Sequence, residues 1–204
     1  VYTVSNYIKN QSIAFRITIK KEEQGLFTQW LFDHGPEKFK VNITAPQGNF
    51  VLNEKSKDPV LCFAGGIGIT PFVMYAKSLS NFNTFRRVHI IYCAKSRDYF
   101  VFADEFNTMI EKNHFLSIDY KPKKEEGALT KNDIENAINN LGQPDIYICG
   151  PTKLEQFICQ YLTEKQYNPN QIFVERFHYS GIREHFSPKP SPSQQPTINS
   201  IRER

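Results

Sequence analysis

The hydrophobic pattern of this chain changes period once. Residues 12–21 alternate, with Ile13, Phe15, Ile17 and Ile19 on one face and polar residues on the other, as in a half-buried strand. Residues 1–6, 39–44 and 51–52 are further β-prone stretches, with a Pro/Gly turn over 45–50. Residues 25–32 predict a short helix carrying Trp30 and Leu31, with Thr28 placed to cap it. From residue 59 onward, short unbroken apolar runs alternate with helical patterns. The runs 59–64, 88–93, 115–120, 144–149 and 171–175 predict strands, and 70–80, 102–113, 130–141 and 151–166 predict helices. Such alternation predicts an α/β fold, a doubly wound parallel five-stranded sheet, preceded by a smaller antiparallel β region. The polar run 53–58 reads as a linker between the two, and the Pro/Ser-rich run 187–196 as a disordered tail or second linker.

The densest punctuation falls at residues 59–71, where an apolar run meets Gly65, Gly66 and Gly68 and then Thr70-Pro71. A strand, a glycine turn and a helix with Thr70 as N-cap and Pro71 in its first position are expected there. Such a turn lets backbone approach a phosphate, and the helix start offers free N–H groups. It also suits an ordinary tight connection without ligand, and Pro71 stands where the usual fingerprint has its third glycine. With the common strand order 3-2-1-4-5, the ligand crevice lies between the ends of the first and fourth strands. The fourth run ends on a second glycine turn, Cys149-Gly150-Pro151. Two such turns at the switch point say more than either alone, although the Cys149 thiol equally suits a small buried hydrophobe. The second run ends on Lys95-Ser96-Arg97-Asp98, where a dinucleotide's adenosine ribose would lie. Each of these four residues also suits a solvated loop.

Composition narrows the picture only slightly. The 204 residues allow one large domain or two small ones, and 40% hydrophobic with 23% charged is ordinary for a globular protein. A net charge of +4 is too mild to argue for nucleic acid. No apolar run approaches the roughly 20 residues of a membrane span. The four cysteines stand far apart, three of them in apolar runs, which predicts buried thiols in a reducing, cytoplasmic compartment. Their spacing suits neither zinc nor an iron–sulfur cluster, so no metal ligands are expected. No signal peptide is visible, and the first residue is Val, so a fragment or a processed product is expected.

Taken together the motifs resemble the ferredoxin–NADP reductase-like family of flavin oxidoreductases. Tyr2-Thr3-Val4-Ser5-Asn6 is similar to its flavin-binding segment, without the Arg that precedes it in the family. The run 25–31 is similar to its Gly-x-x-Ser segment at the flavin pyrophosphate. Residues 64–71 and 147–151 resemble its two nicotinamide-nucleotide loops, and Glu175-Arg176-Phe177 its closing Glu-x-Phe. Within the family, Gln29-Trp30-Leu31 and residues 102–106 look closest to the NADH oxidoreductase of the hybrid-cluster protein and related three-module reductases.

The resemblance implies a division into residues 1–57 (part of an antiparallel β-barrel flavin-binding domain, amino-terminally incomplete), 58–178 (the nicotinamide-nucleotide domain) and 179–204 (tail). It implies that Tyr2, Thr3, Val4, Ile19, Lys20, Gly25, Thr28 and Phe177 meet the flavin. Gly65, Gly66, Gly68, Thr70, Pro71, Ser96, Arg97, Cys149, Gly150 and Pro151 would meet the nicotinamide nucleotide, with Thr3, Cys149 and Phe177 closest to the reacting atoms. The implied activity passes a hydride from NADH or NADPH to FAD (FMN is the alternative) and then single electrons to an iron–sulfur or haem acceptor, a ferredoxin module among the candidates. A nucleotide-binding regulatory module without turnover is the rival reading. With only part of a barrel in hand, weak flavin retention and an open sheet edge in the amino-terminal part are expected.

Overall fold

The structure is a computed structural model and describes residues 3–5, 16–35, 48–53, 56–82 and 86–176. Tyr2, Phe177, the expected strand over 39–44 and the tail from 179 lie outside the described residues, as do Ile13 and Phe15.

The α/β part is built as the apolar runs require. Strands β1 (Val60–Gly65), β2 (Val88–Ala94), β3 (Leu116–Pro122), β4 (Asp145–Cys149) and β5 (Ile172–Glu175) form one parallel sheet in the order β3-β2-β1-β4-β5. Every residue of β1 and β4 is buried, as expected of central strands covered on both faces. Edge strand β3 alternates, with Ser117 and Asp119 outward.

Alternate residues of the central strands feed two cores. Val60, Cys62, Ala64, Ile90, Tyr92 and Tyr147 face helices α2 (Thr70–Phe82) and α3 (Ala103–Lys112). Leu61, Phe63, Ile91, Ile146 and Ile148 face α5 (Lys131–Leu141) and α6 (Thr152–Glu164). Between β3 and α5 lies α4, one turn over Lys123–Glu126 that periodicity does not reveal. Helix α5 starts on a reciprocal cap: the Asp133 N–H donates to Thr130 Oγ1 (3.1 Å) and the Thr130 N–H to Asp133 Oδ2 (2.9 Å).

Ahead of the sheet, α1 (Leu26–Asp33) is the expected short helix. Among the described residues the antiparallel region shows a single bridge, Val4 to Ile17. Ile17 is exposed, against the expectation of a covered face. Val51 and Leu52 form no strand. They belong to a segment held down side chain by side chain: the Asn53 N–H donates to Tyr147 Oη (2.8 Å), Tyr147 Oη to the Val51 carbonyl (3.3 Å) and Tyr75 Oη to the Phe50 carbonyl (2.8 Å). Phe50 packs edge-on against Tyr147 at 5.6 Å between ring centroids. Arg86 then ties the carbonyls of Asn53 (3.0 Å) and Asp58 (2.5 Å) to the buried Asp145 carboxylate (2.6 Å). A chain tied to the sheet this way has no need of ladder hydrogen bonds of its own.

Candidate functional site

The carboxyl ends of β1 and β4 meet at the switch point, and their glycines divide the work. A Cβ on Gly68 would lie 2.1 Å from the Cys149 carbonyl oxygen, and one on Gly65 would lie 2.5 Å from Pro151 Cδ. At Gly150 a Cβ would lie 2.9 Å from the Gly65 backbone. These three glycines exist because the two turns interlock. Gly66 differs: its φ of +54° calls for glycine, and nothing lies within 4 Å of where its Cβ would be. It is the point at which the interlocked turns open toward space.

Helical winding begins earlier than the Thr70-Pro71 pair suggests. A 3₁₀ turn over Gly66–Ile69 runs directly into α2, so Thr70 is already helical and is not the N-cap. Its buried hydroxyl donates to the Ile67 carbonyl (3.2 Å) and stiffens that turn. Pro71 is buried behind it. The 3₁₀ turn that leads into α2 and the amino end of α6 thus both rise from the crevice with their positive dipole ends, the Thr70 N–H being already bonded to the Ile67 carbonyl.

Cys149 closes β4 and is fully buried. Burial pushes its thiol well above the ordinary value, and the nearby Glu175 and Glu155 carboxyls push it the same way. Glu175 is its register partner on β5, and burial raises that carboxyl too. Glu155, in the first turn of α6, is buried and grips Arg176: Arg176 Nε donates to both carboxylate oxygens at 2.8 and 3.0 Å, and Nη2 adds a further bond. Glu155 did not stand among the expected site residues, and Glu175 stood only as the first residue of the Glu-x-Phe run. Their signals were an acid in a first helical turn and the strand register that sets Glu175 beside Cys149.

On β2, one strand over, Ser96 is buried at the strand end. Arg97 Nη2 is bonded to Glu126 Oε1 of α4 (2.8 Å), and Lys95 Nζ stands 6.0 Å from the centre of the Tyr99 ring.

The amino-terminal candidates form a second group. Val4 bridges Ile17; Thr3 and Ile19 are half-buried, and Lys20 is exposed and paired with Glu22 (3.0 Å). Thr28 does not cap α1. Gly25 is the N-cap and has no side chain to bond, while Thr28 sits three residues into the helix and donates back to the Gly25 carbonyl (3.0 Å). The Thr28 oxygen also accepts the Glu22 N–H (3.1 Å), closing the turn ahead of the helix. Arg16 links this group to the α/β part through Glu105 (3.0 Å to each oxygen) and over the Phe102 ring at 5.2 Å. Phe102 itself holds a left-handed φ of 65°.

Residues 63–160 match the family model described as an oxidoreductase NAD-binding domain. The chain shares the fold of ferredoxin–NADP reductase-like structures. Flavohemoprotein A of Dictyostelium discoideum is 28% identical over 172 residues, covering 80% of this chain and 43% of that protein. The chain therefore spans less than half of that relative's length. Among solved structures, the flavohem-like FAD/NAD binding domain of nitric oxide dioxygenase from Vibrio cholerae O1 biovar El Tor superposes with a TM-score of 0.71 at 23% identity, covering 85% of this chain and 75% of that one. Ferredoxin–NADP⁺ reductase from Plasmodium falciparum with 2′P-AMP superposes with a TM-score of 0.64 at 20% identity, covering 85% and 75%. Among the described residues the expected ones fall into three sets, the crevice group around Gly65–Thr70 and Cys149–Pro151, the pair Ser96 and Arg97 after β2, and the group from Thr3 to Thr28. Among the described residues no helix is long and apolar enough to cross a membrane, and no three His, Cys, Asp or Glu side chains are grouped to hold a metal.

Proposed function

We propose that this chain is the reductase portion of a flavin-dependent NAD(P)H oxidoreductase. Residues 1–57 would contribute to the flavin site and 58–178 would form the nicotinamide-nucleotide domain. The observation that carries the reading is the pair of interlocked glycine turns with Gly66 alone open to space. The residues fit both groups. The crevice offers two helix amino ends for a nucleotide's phosphates, and α1 begins at a glycine cap with no side chain across its free N–H groups, which suits a flavin pyrophosphate.

A bound flavin would supply the redox chemistry, hydride acceptance from the nicotinamide and single-electron release. The chain's own residues bind and orient. Gly66 lets the nucleotide approach the backbone of the 3₁₀ turn. Cys149, buried and with its thiol neutral, would order the end of β4 behind the nicotinamide position without attacking it. Glu175, with its raised carboxyl, lies alongside. The Glu155–Arg176 pair secures the chain where it leaves β5. FAD is the flavin favoured, because the open start of α1 suits a pyrophosphate that FMN lacks. The flavohemoprotein relatives support a haem acceptor, and an iron–sulfur acceptor is the other member of that class. Four free cysteines, two of them buried, support a reducing, cytoplasmic setting.

The test is spectroscopic. The full-length protein reconstituted with FAD is expected to show flavin bands that bleach when NADH is added without oxygen. A protein that retains neither FAD nor FMN and binds no nicotinamide nucleotide would overturn the reading.

A further inference from the structure

Strand β2 delivers the chain to a short, well-braced corner. The Lys95 carbonyl accepts the Lys124 N–H of α4 (3.0 Å), so that one-turn helix is docked by its backbone on the end of β2. Ser96 follows in extended conformation, and a 3₁₀ turn over Arg97–Tyr99 begins. The Arg97 side chain is 67% exposed and reaches Glu126, the last residue of α4. Directly after it, Gly127 at φ +83° turns the chain away. The carboxylate is thus carried two residues from a backbone anchor.

We infer that Glu126 selects against a 2′-phosphorylated nicotinamide nucleotide by occupying Arg97 at the end of β2; this rests on the nucleotide-binding reading above. In a doubly wound sheet the adenosine ribose lies at the end of the strand next to the glycine turn, here Ala94 to Arg97. A 2′-hydroxyl there needs no cation. A 2′-phosphate carries close to two negative charges and matches the guanidinium fork. To engage the whole guanidinium fork it must displace Glu126 from Nη2, and the carboxylate stays nearby as a like charge. Both penalties fall on the phosphorylated nucleotide and neither on the unphosphorylated one. Because the pair is exposed, solvent screens it, and the discrimination it supplies is of the order of tenfold rather than thousandfold.

The experiment compares the full-length wild-type protein, loaded with FAD, with its Glu126→Gln, Glu126→Lys and double Glu126→Gln/Arg97→Ala variants. Calorimetric binding of AMP and of 2′-phospho-AMP is measured alongside kcat/KM for NADH and NADPH with ferricyanide. The expected result is a rise of about 3- to 10-fold in the NADPH-to-NADH ratio for Glu126→Gln, a larger rise for Glu126→Lys, a parallel gain in 2′-phospho-AMP affinity relative to AMP, and loss of the gain in the double variant. Raised salt should shrink it. A wild-type chain that binds AMP and oxidises NADH, with a ratio unchanged in Glu126→Gln, overturns the assignment of Glu126 and leaves the wider reading standing. A gain that survives Arg97→Ala also overturns it. Failure of the wild type to bind either nucleotide or to oxidise NADH defeats the wider reading itself.

Discussion

At the scale of single residues, glycine and cysteine carry two different arguments at one crevice. Gly68 is required by a neighbour 2.1 Å from its absent Cβ, whereas Gly66 is required by its own φ and touches nothing. Gly68→Ala should therefore cost about 2–3 kcal/mol of stability in urea unfolding, because the turns must part. Gly66→Ala should cost about 1–2 kcal/mol through backbone strain, with a loss of NADH affinity out of proportion to that cost. Equal losses of affinity in both variants would contradict this division of labour. Cys149 is held protonated by burial first and by Glu175 and Glu155 next. In the native protein at pH 8 it should resist iodoacetamide, while Cys93 and Cys159, both partly exposed, react sooner. Cys149→Ser should slow hydride transfer several-fold and leave flavin content unchanged. Gly65, Gly66, Gly68, Cys149 and Gly150 were legible as a group because two glycine turns stood where a doubly wound topology brings strand ends together. Glu155 and Glu175 were harder to read, since their relation to Cys149 is one of packing and register.

Among the elements, the α/β part followed its periodicity closely, because strands buried on both faces leave short unbroken apolar runs bounded by turn residues. Departures arose where local chemistry is ambiguous. Thr70 and Thr28 both look like caps, yet each lies inside its helix and donates back to a carbonyl, a use of Thr that the sequence alone does not distinguish from capping. Thr130 does cap, and Thr130→Ala should lower stability by about 1 kcal/mol, read as a shift of the urea midpoint with nucleotide binding retained. Residues 51–53, expected to include a strand, are shaped instead by Tyr147 and Tyr75 from the opposite part of the chain. Tyr147→Phe removes the acceptor of the Asn53 N–H and the donor to Val51. A loss of about 1–2 kcal/mol is expected, with faster amide exchange at Asn53. An unchanged exchange rate there would show that water replaces the phenol without cost.

For the molecule as a whole, pH dependence follows from what is buried. Cys62, Cys149 and Tyr75 are all pushed up by burial first, and Tyr147 to about 12. Each prefers its neutral form in the fold, so its contribution is complete below the unfolded value, about 8.5 for a thiol and 10 for a phenol, and is lost as pH rises toward the folded value. The urea midpoint should fall steadily from about pH 8.5 upward, and Cys149→Ser should flatten the first part of that fall. On the acid side, burial pushes the Glu105 carboxyl up, but the hydrogen bonds and charges of Arg16 and Lys77 outweigh it and hold it below its usual value. Its contribution is present at neutral pH and lost as pH falls through the carboxylate range. Runs of apolar residues and turn-forming glycines are properties of neighbours in sequence. For that reason the chain alone determined the strands and helices of the parallel sheet and the two glycine turns, while the sheet's strand order, expected only as the common arrangement, was decided by the fold. The pairing of Arg97 with Glu126, the grip of Glu155 on Arg176, the hold of Tyr147 on residues 51–53 and the sorting of glycines into packed and open ones join residues that are far apart in the chain. They depend on distances of a few ångströms across strands and helices, and periodicity carries no information on that scale, so only the folded structure decided them.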